Sequence, residues 1–396
     1  MITATQKNGV LHSMLSLIEG RRQELIACNL KELDAFAGGD KAMYDRLKVN
    51  DDKVDGMKQS LSDVLEKNDP IGKLISTYDH PNGMTVQNKT APFGTILIIY
   101  ESRPDVTIEA AAIAFKSGNK ILLKGGKESK QSNLMLIDCW HKALSENQLP
   151  TDWIQYLDFD RAETQAFLKA PTCQLDLIVP RGGDGLIQFV KQHASCPVLV
   201  SGRGNNFLYV HQEADWAKAK KIIISAKTGK ISACNSLDKV LVDDALPDFQ
   251  NKVIELFQEL QDQQVEVISN IDANSGGSVK KWKKDDVLYE EFLDHKILIK
   301  SSSGIEDAVA TINKYSGGHS TTIMTENMEL ADRFMDEVDS AAVYRNASTR
   351  FTDGGQMGMG AELAISTDKL HHRGPLGLDQ LVTNKWYVYG DGQIRE

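Results

Sequence analysis

A chain of 396 residues exceeds the size at which one hydrophobic core stops growing, so two domains are expected. Its 41% apolar and 25% charged residues are those of a globular protein, and its longest apolar runs, such as Gly94 to Tyr100, are too short to span a bilayer. A formal net charge of −10 excludes nucleic acid and anionic membrane as partners, since both demand a basic surface.

The opening MITATQKNGVLHSM has neither the basic start and apolar block of a secretory signal nor the character of a transit peptide, which places the chain in the cytoplasm. Five scattered cysteines, Cys28, Cys139, Cys173, Cys196 and Cys234, form no C-x-x-C pair and read as reduced thiols rather than as a disulfide framework or a zinc site. The first seventy residues carry helical periodicity, with a cap expected at Asn50 to Asp52. LISTYDHPNGMTVQNKTAPFG then reads as a projecting hairpin around a His-Pro-Asn-Gly turn.

From Thr95 strands and helices alternate: TILIIY, a helix opened by Pro104 and closed near Gly118, KILLK, a long helix through SNLMLIDCWHKAL, WIQYL, LDLIV, CPVLV and NFLYV. A second alternating set starts at Cys234 with LDKVLV and continues through VEVI, KILIK, STTIM and AAVY. Such alternation predicts parallel sheets covered by helices, two α/β units with a cleft near Cys234. The aromatic strand LVTNKWYVYG, Leu381 to Gly390, has no evident partner in either unit.

Cys234 sits among Gly229, Ser232, Ala233, Asn235 and Ser236, a small and polar context that lets a carbonyl approach the sulfur and backbone N–H groups receive an oxyanion. The alternative is an inert packed thiol. Three glycine turns follow strands: Lys124-Gly125-Gly126-Lys127, Arg181-Gly182-Gly183-Asp184-Gly185 and Ser201-Gly202-Arg203-Gly204. They are either ordinary turns or places where backbone amides meet phosphate. Lys116, Lys120, Lys124, Lys127 and Lys130 crowd one of them, as a solvated helix end or an anion-binding patch. NASTRFTDGGQMGMGAELAIST gathers donors around Arg350, whose planar fork suits a carboxylate. His371 and His372 are adjacent and ill placed to share a metal, so no metal is expected.

APFGTILIIYESRPDV, ILLKGGKES, LIVPRGGDGLI, CNSLDKVLV, NASTRFTDG, GMGAELAIST and RGPLGLDQLVTNKWYVYGDGQ together resemble the gamma-glutamyl phosphate reductase family, a branch of the aldehyde dehydrogenase superfamily, from about Asp45 to Gln393. The resemblance implies an aldehyde dehydrogenase-like α/β fold of two doubly wound domains plus a small β oligomerisation element. Residues 1–72 and 93–232, with 353–380 returning, would form the cofactor domain, 233–352 the catalytic domain, and 73–92 with 381–396 the β element. It implies reduction of gamma-glutamyl phosphate by NADPH to glutamate 5-semialdehyde through a thioester on Cys234, with Asn235 close by, in a homo-oligomer able to associate with glutamate kinase.

Lys124, Gly125, Gly126, Lys127, Gly182, Gly183 and Glu291 are then the cofactor-binding residues, and Arg103, Asn346, Ser348, Thr349 and Arg350 the substrate-binding residues. Two departures from the superfamily matter. The stretch matching its hydrolytic glutamate motif is LVSGRGNN, with no acid between Val198 and Asn206, and its oxyanion asparagine is replaced near Ser102. A hydrolytic aldehyde dehydrogenase is disfavoured by the first departure, and a non-enzymatic thiol sensor remains the second competing reading. Lys127 stands where NAD-using relatives carry a glutamate, which implies a preference for the 2′-phosphorylated cofactor.

Overall fold

The computed structural model describes residues 2–36, 41–272, 279–282 and 284–395. The chain forms two compact units, one comprising Met1–Val200, Gly358–Ala364 and Leu376–Glu396, the other Ser201–Met357 and Ile365–Pro375.

The first unit begins with helices Ala4–Gly20, Arg22–Ala35, Lys41–Leu47 and Asp51–Glu66. The first is started by a Thr3–Gln6 capping box and the last by Asn50, whose side chain accepts from the Lys53 N–H, so local capping chemistry fixes both starts. A hairpin of β1, Leu74–Asp79, and β2, Thr85–Pro92, precedes the parallel strands β3, Thr95–Tyr100, β4, Lys120–Lys124, β5, Ile154–Tyr156, and β6, Leu177–Arg181. Their order in the sheet is β5-β4-β3-β6. Helices Val106–Lys116 and Lys130–Glu146 pack Phe115 and the buried Trp140 against β3 and β4, with the Trp140 indole N–H on the Thr107 carbonyl at 3.1 Å. CPVLV does not become a strand of its own. Only Val198 bridges Ile178, because Pro197 beside it has no N–H to give a ladder.

The second unit holds β7, Asn206–Val210, β8, Leu237–Asp243, β9, Glu266–Ser269, β10, Lys296–Ser302, β11, Ser320–Met324, and β12, Ala342–Arg345, as one parallel sheet of order β12-β11-β7-β8-β10-β9. Helices Trp216–Thr228, Phe249–Asp262, Ile305–Tyr315 and Met328–Glu337 cover its faces. Two short strands, β13, Ile365–Ser366, and β14, Gly374–Pro375, form an antiparallel pair. The unit boundary differs from the sequence expectation. NFLYV, read there as the last strand of the first set, is β7 and bonds β8 and β11, so the chain divides after Val200 rather than at 232. The returning segment is also split, residues 365–375 belonging to the second unit. Alternation cannot mark this border, since the last helix-strand step of one parallel sheet looks like the first of the next.

The orphan C-terminal strand is β15, Val382–Tyr389, which pairs antiparallel with β2 along its whole length and completes a sheet β1-β2-β15. Its outer faces leave Leu74, Ile75, Tyr78, Trp386, Val388 and Tyr389 exposed. Among the described residues no helix is long and apolar enough to cross a membrane.

Candidate active site

Cys234 lies in the turn that leads into β8, partly exposed and in no disulfide. The turn is built by short-range bonds, Ala233 N–H to the Lys230 carbonyl at 3.1 Å and Ser236 N–H to the Ala233 carbonyl at 2.9 Å. Asn206, at the start of β7 and fully buried, anchors it. One amide group, Nδ2, is shared among the carbonyls of Gly204, Cys234 and Ser236 at 2.9, 2.7 and 2.6 Å, while Oδ1 accepts from the Ser320 N–H at 3.1 Å. Gly204 passes so close beneath the turn that a Cβ there would lie 2.0 Å from the Cys234 carbonyl oxygen. Packing against the thiol turn thus calls for glycine at residue 204.

Asn235 is buried, and its amide donates to the carbonyls of Arg350 and Thr352 at 3.2 and 3.0 Å. Both amide hydrogens are therefore engaged with the loop after β12, and Asn235 holds that loop rather than presenting a donor to an oxyanion. The Arg350 guanidinium returns a hydrogen bond to Asn235 Oδ1, and the Thr349 hydroxyl donates to the Asn235 carbonyl at 2.8 Å. Ser348 opens the short turn Thr349–Phe351 by accepting from the Arg350 N–H. Asn235, Arg350, Phe351, Asp353 and Gln356 surround a cavity of about 290 Å³. Asn346, at φ 51, pairs its amide with both backbone groups of Thr325, at 2.9 and 2.8 Å.

Buried polar contacts continue behind this loop. Ser320 donates to the Thr352 hydroxyl at 2.6 Å, Tyr344 shares that hydroxyl at 2.8 Å, and His319 Nδ1 meets Ser320 Oγ at 2.7 Å. Burial pushes the His319 imidazole down to about 4, so it is neutral. Glu291 sits in the segment between the turn Asp285–Leu288 and β10, partly buried, in this same unit.

In the first unit a cavity of about 1150 Å³ opens at the carboxyl ends of β3, β4 and β5, where ligands of parallel sheets bind. Lys124, Gly125, Gly126 and Lys127 all line it, Lys127 exposed at the start of the turn Lys127–Ser129. The glycines leave room for neighbouring side chains. A Cβ at Gly125 would stand 2.3 Å from Asn133 Nδ2, and one at Gly126 2.8 Å from Ser102 Oγ. Burial pushes the Lys124 ammonium down, against the opposing pull of Glu128, Asp158 and Asp160. Cavity size, strand-end position and the side-chain-free wall fit a dinucleotide.

Gly182 and Gly183 lie apart from that wall, which Gly185, Leu186 and Phe189 of the following helix complete. The Gly183 N–H is taken by Glu101 Oε1 at 3.3 Å, and a Cβ at Gly182 would meet the same carboxylate carbon at 2.7 Å, so these glycines accommodate Glu101. The lysine patch divides, with Lys124, Lys127 and Lys130 on the cavity wall and Lys116 and Lys120 away from it. Lys116 is buried with its Nζ on the Val64 and Leu65 carbonyls at 2.6 and 2.9 Å, while Lys120 and Lys130 pair with Asp152 and Asp158 at 2.6 Å each. Arg103, between β3 and its helix, has a buried Nε without a hydrogen-bond partner among the described residues and belongs to the first unit, whereas Asn346 to Arg350 belong to the second.

Asn206 and the role of Thr352 escaped the sequence reading, and Gly204 was read there only as part of a glycine turn, although the doublet Asn205-Asn206 at a strand start was a signal: buried asparagines there must place their amides on backbone. Among the described residues no group of three or more His, Cys, Asp or Glu side chains could hold a metal.

Residues 1–287 match the aldehyde dehydrogenase family. The chain is 40% identical to gamma-glutamyl phosphate reductase of Persephonella marina, covering 100% of this chain and 90% of that one, and 38% identical to that of Clostridium beijerinckii, covering 98% and 94%. The crystal structure of gamma-glutamyl phosphate reductase from Thermotoga maritima superimposes with a TM-score of 0.94 at 37% identity, over 100% of this chain and 95% of that one. With the fold, the thiol turn and the strand-end cavity in place, the chain belongs to the aldehyde dehydrogenase family, in its gamma-glutamyl phosphate reductase branch.

Proposed function

We propose that this protein reduces gamma-glutamyl phosphate to glutamate 5-semialdehyde and phosphate with NADPH, the second step of proline biosynthesis from glutamate. Cys234 Sγ attacks the acyl carbon, the bond to the phosphate oxygen breaks, and phosphate leaves with the bonding electrons. The backbone N–H of Cys234 stabilises the oxyanion. Bound NADPH supplies the hydride that reduces the resulting thioester. The thiohemiacetal on Cys234 then expels the thiolate and releases the aldehyde.

The observation that carries this reading is the stretch passing beneath the nucleophile. Gly204 abuts Cys234, and no acid lies between Val198 and Asn206, so no carboxylate from that stretch serves as base for an attacking water. A thioester without a hydrolytic base is suited to exchange with phosphate. Lys124, Gly125, Gly126 and Lys127 receive the adenosine end of the cofactor, Lys127 giving the preference for a 2′-phosphate, and Glu291 holds the nicotinamide ribose. Arg350, with Ser348 and Thr349 shaping its turn, receives the substrate α-carboxylate, and Arg103 is the second candidate cation for it. The exposed apolar side chains of the β1-β2-β15 sheet favour self-association, the setting is the cytosol, and glutamate kinase is the candidate donor of the labile acyl phosphate.

The test runs the reaction backwards. Oxidation of the semialdehyde, or of the cyclic form into which it closes, should require both NADP and inorganic phosphate or arsenate. Oxidation at full rate without either anion would make the protein a hydrolytic dehydrogenase and overturn the reading.

A further inference from the structure

Two buried charges stand side by side where β8 begins. Asp238 and Lys239 are 2% and 0% exposed, followed in the strand by the apolar Val240, Leu241 and Val242 and ending at Asp243. The pairing of β7 with β8 shifts here: Asn206 faces Leu237, but Phe207 faces Lys239, so Asp238 is the extra residue of a bulge. Regular alternation would send neighbouring side chains to opposite faces, and a bulge re-aims them. Both reach the same short segment. The Lys239 ammonium donates to the Glu290 carbonyl at 2.7 Å and lies 3.6 Å from the centre of the Phe292 ring. Asp238 accepts the Phe292 N–H at 2.8 Å on one oxygen and the buried Lys227 ammonium at 2.9 Å on the other. The Glu290 carbonyl and the Phe292 N–H belong to the two peptide groups on either side of Glu291.

We infer that Lys239 and Asp238 are positioning residues that clamp the backbone before and after Glu291, and that the affinity for the nicotinamide nucleotide depends on them through that carboxylate; the inference rests on the reading of Glu291 as the ribose ligand. The clamp grows from the strand that Cys234 leads into, so one bulge sets the place of both the thiol and the carboxylate. Burial pushes the Lys239 ammonium down to about 7, helped by Lys227 and opposed by Asp238, Glu290 and Glu291, which marks an ammonium kept in the core for its contacts. An apolar side chain would fill that space at less cost.

The experiment is a double-mutant cycle on the full chain with the dissociation constant of NADPH, read by fluorescence titration, as its coordinate. Glu291→Gln should weaken NADPH about tenfold, Lys239→Met by a similar factor, and the double variant no further than the weaker single one. The rate of Cys234 alkylation by iodoacetamide should stay at the wild-type value in all three. If Glu291→Gln leaves the affinity unchanged, the reading of Glu291 falls. Should Glu291→Gln weaken binding while Lys239→Met does nothing, or adds its own full factor in the double variant, the clamp falls and the reading of Glu291 stands. Asp238→Asn takes the place of Lys239→Met in the cycle if the methionine variant shows no cooperative melt.

Discussion

The side chain of Asn206 holds the carbonyl oxygen of Cys234 at 2.7 Å, and Gly204 passes beneath the same oxygen with no room for a methyl group. A Cβ at residue 204 would fall within 2.6 Å of the Cys234 Cα as well, and backbone offers no flexible end to move aside. Gly204→Ala should therefore displace the thiol turn by about 1 Å and cost on the order of a hundredfold in kcat, since misplacement of that order is enough to spoil attack geometry. Turnover and NADPH titration measure it together: kcat should fall while NADPH affinity stays within about twofold. An alanine variant with wild-type kcat would show that the turn tolerates the shift.

Cys234→Ala should abolish reduction and leave nucleotide binding nearly intact, because the sulfur belongs to the covalent step. Activity above a few per cent in a preparation free of wild-type enzyme would remove Cys234 from the role of nucleophile.

Arg350 lines the small cavity beside Asn235 and is the cation proposed for the α-carboxylate. Arg350→Leu should weaken transition-state binding of the glutamyl substrate by roughly 2–4 kcal/mol, the worth of one or two charge-assisted hydrogen bonds. The measurement is kcat/KM for the glutamyl substrate. Arg350→Lys should recover only part, since a point charge cannot reproduce the fork. Unchanged kinetics in the leucine variant would move carboxylate recognition to Arg103.

Lys127 is exposed on the wall of the larger cavity, next to the glycine pair. Lys127→Glu should weaken NADPH far more than NADH, combining a lost attraction with a new repulsion of the 2′-phosphate. Equal losses for both nucleotides in parallel titrations would mean that residue 127 does not meet that phosphate.

His319 gives a pH signature. Its imidazole is held down to about 4 by burial, below its ordinary 6.5. Between these values the unfolded chain binds a proton that the folded chain refuses, so stability falls as pH drops from 6.5 towards 4 and then levels off for this group. The total is on the order of 3 kcal/mol. His319→Asn, which cannot titrate there, should lose this part of the slope. Urea unfolding at pH 7, 6, 5 and 4 reads it: the gap between wild type and variant should shift by that amount in favour of the variant. A gap constant with pH would show that His319 protonates in the folded protein.

The fold was legible because its strands announce themselves by apolar runs and its helices by period, as TILIIY and FQNKVIELFQEL do. That Cys234 stands in an open turn among small residues was legible from its neighbours, and its reactive role was implied by the resemblance. What stayed hidden depends on partners distant in sequence. LDKVLV reads as an apolar strand, and only the bulge opposite Asn206 reveals why Asp238 and Lys239 are tolerated inside it. Asn346 and Arg350 look alike in a polar loop, yet Thr325 takes up the first, and nothing in the order of residues distinguishes them. Of the five lysines around Gly125, Lys124, Lys127 and Lys130 share the cavity wall, whereas Lys116 is buried on the Val64 and Leu65 carbonyls and Lys120 pairs with Asp152.

The small three-stranded sheet ties β15 to β2 across 296 residues of chain, as the contact between Asn384 and Asn88 measures. During synthesis the β1-β2 hairpin emerges early and must wait, with one ladder edge open, until nearly all the rest of the chain has been made. Closing so long a loop is slow, and an open edge of this kind is a template for a neighbouring nascent chain. The charged and polar side chains of β2, Lys89 and Asn88 among them, reduce the risk during that interval. The last strand thus works as the latch of the folding reaction, the piece whose arrival ends the vulnerable period.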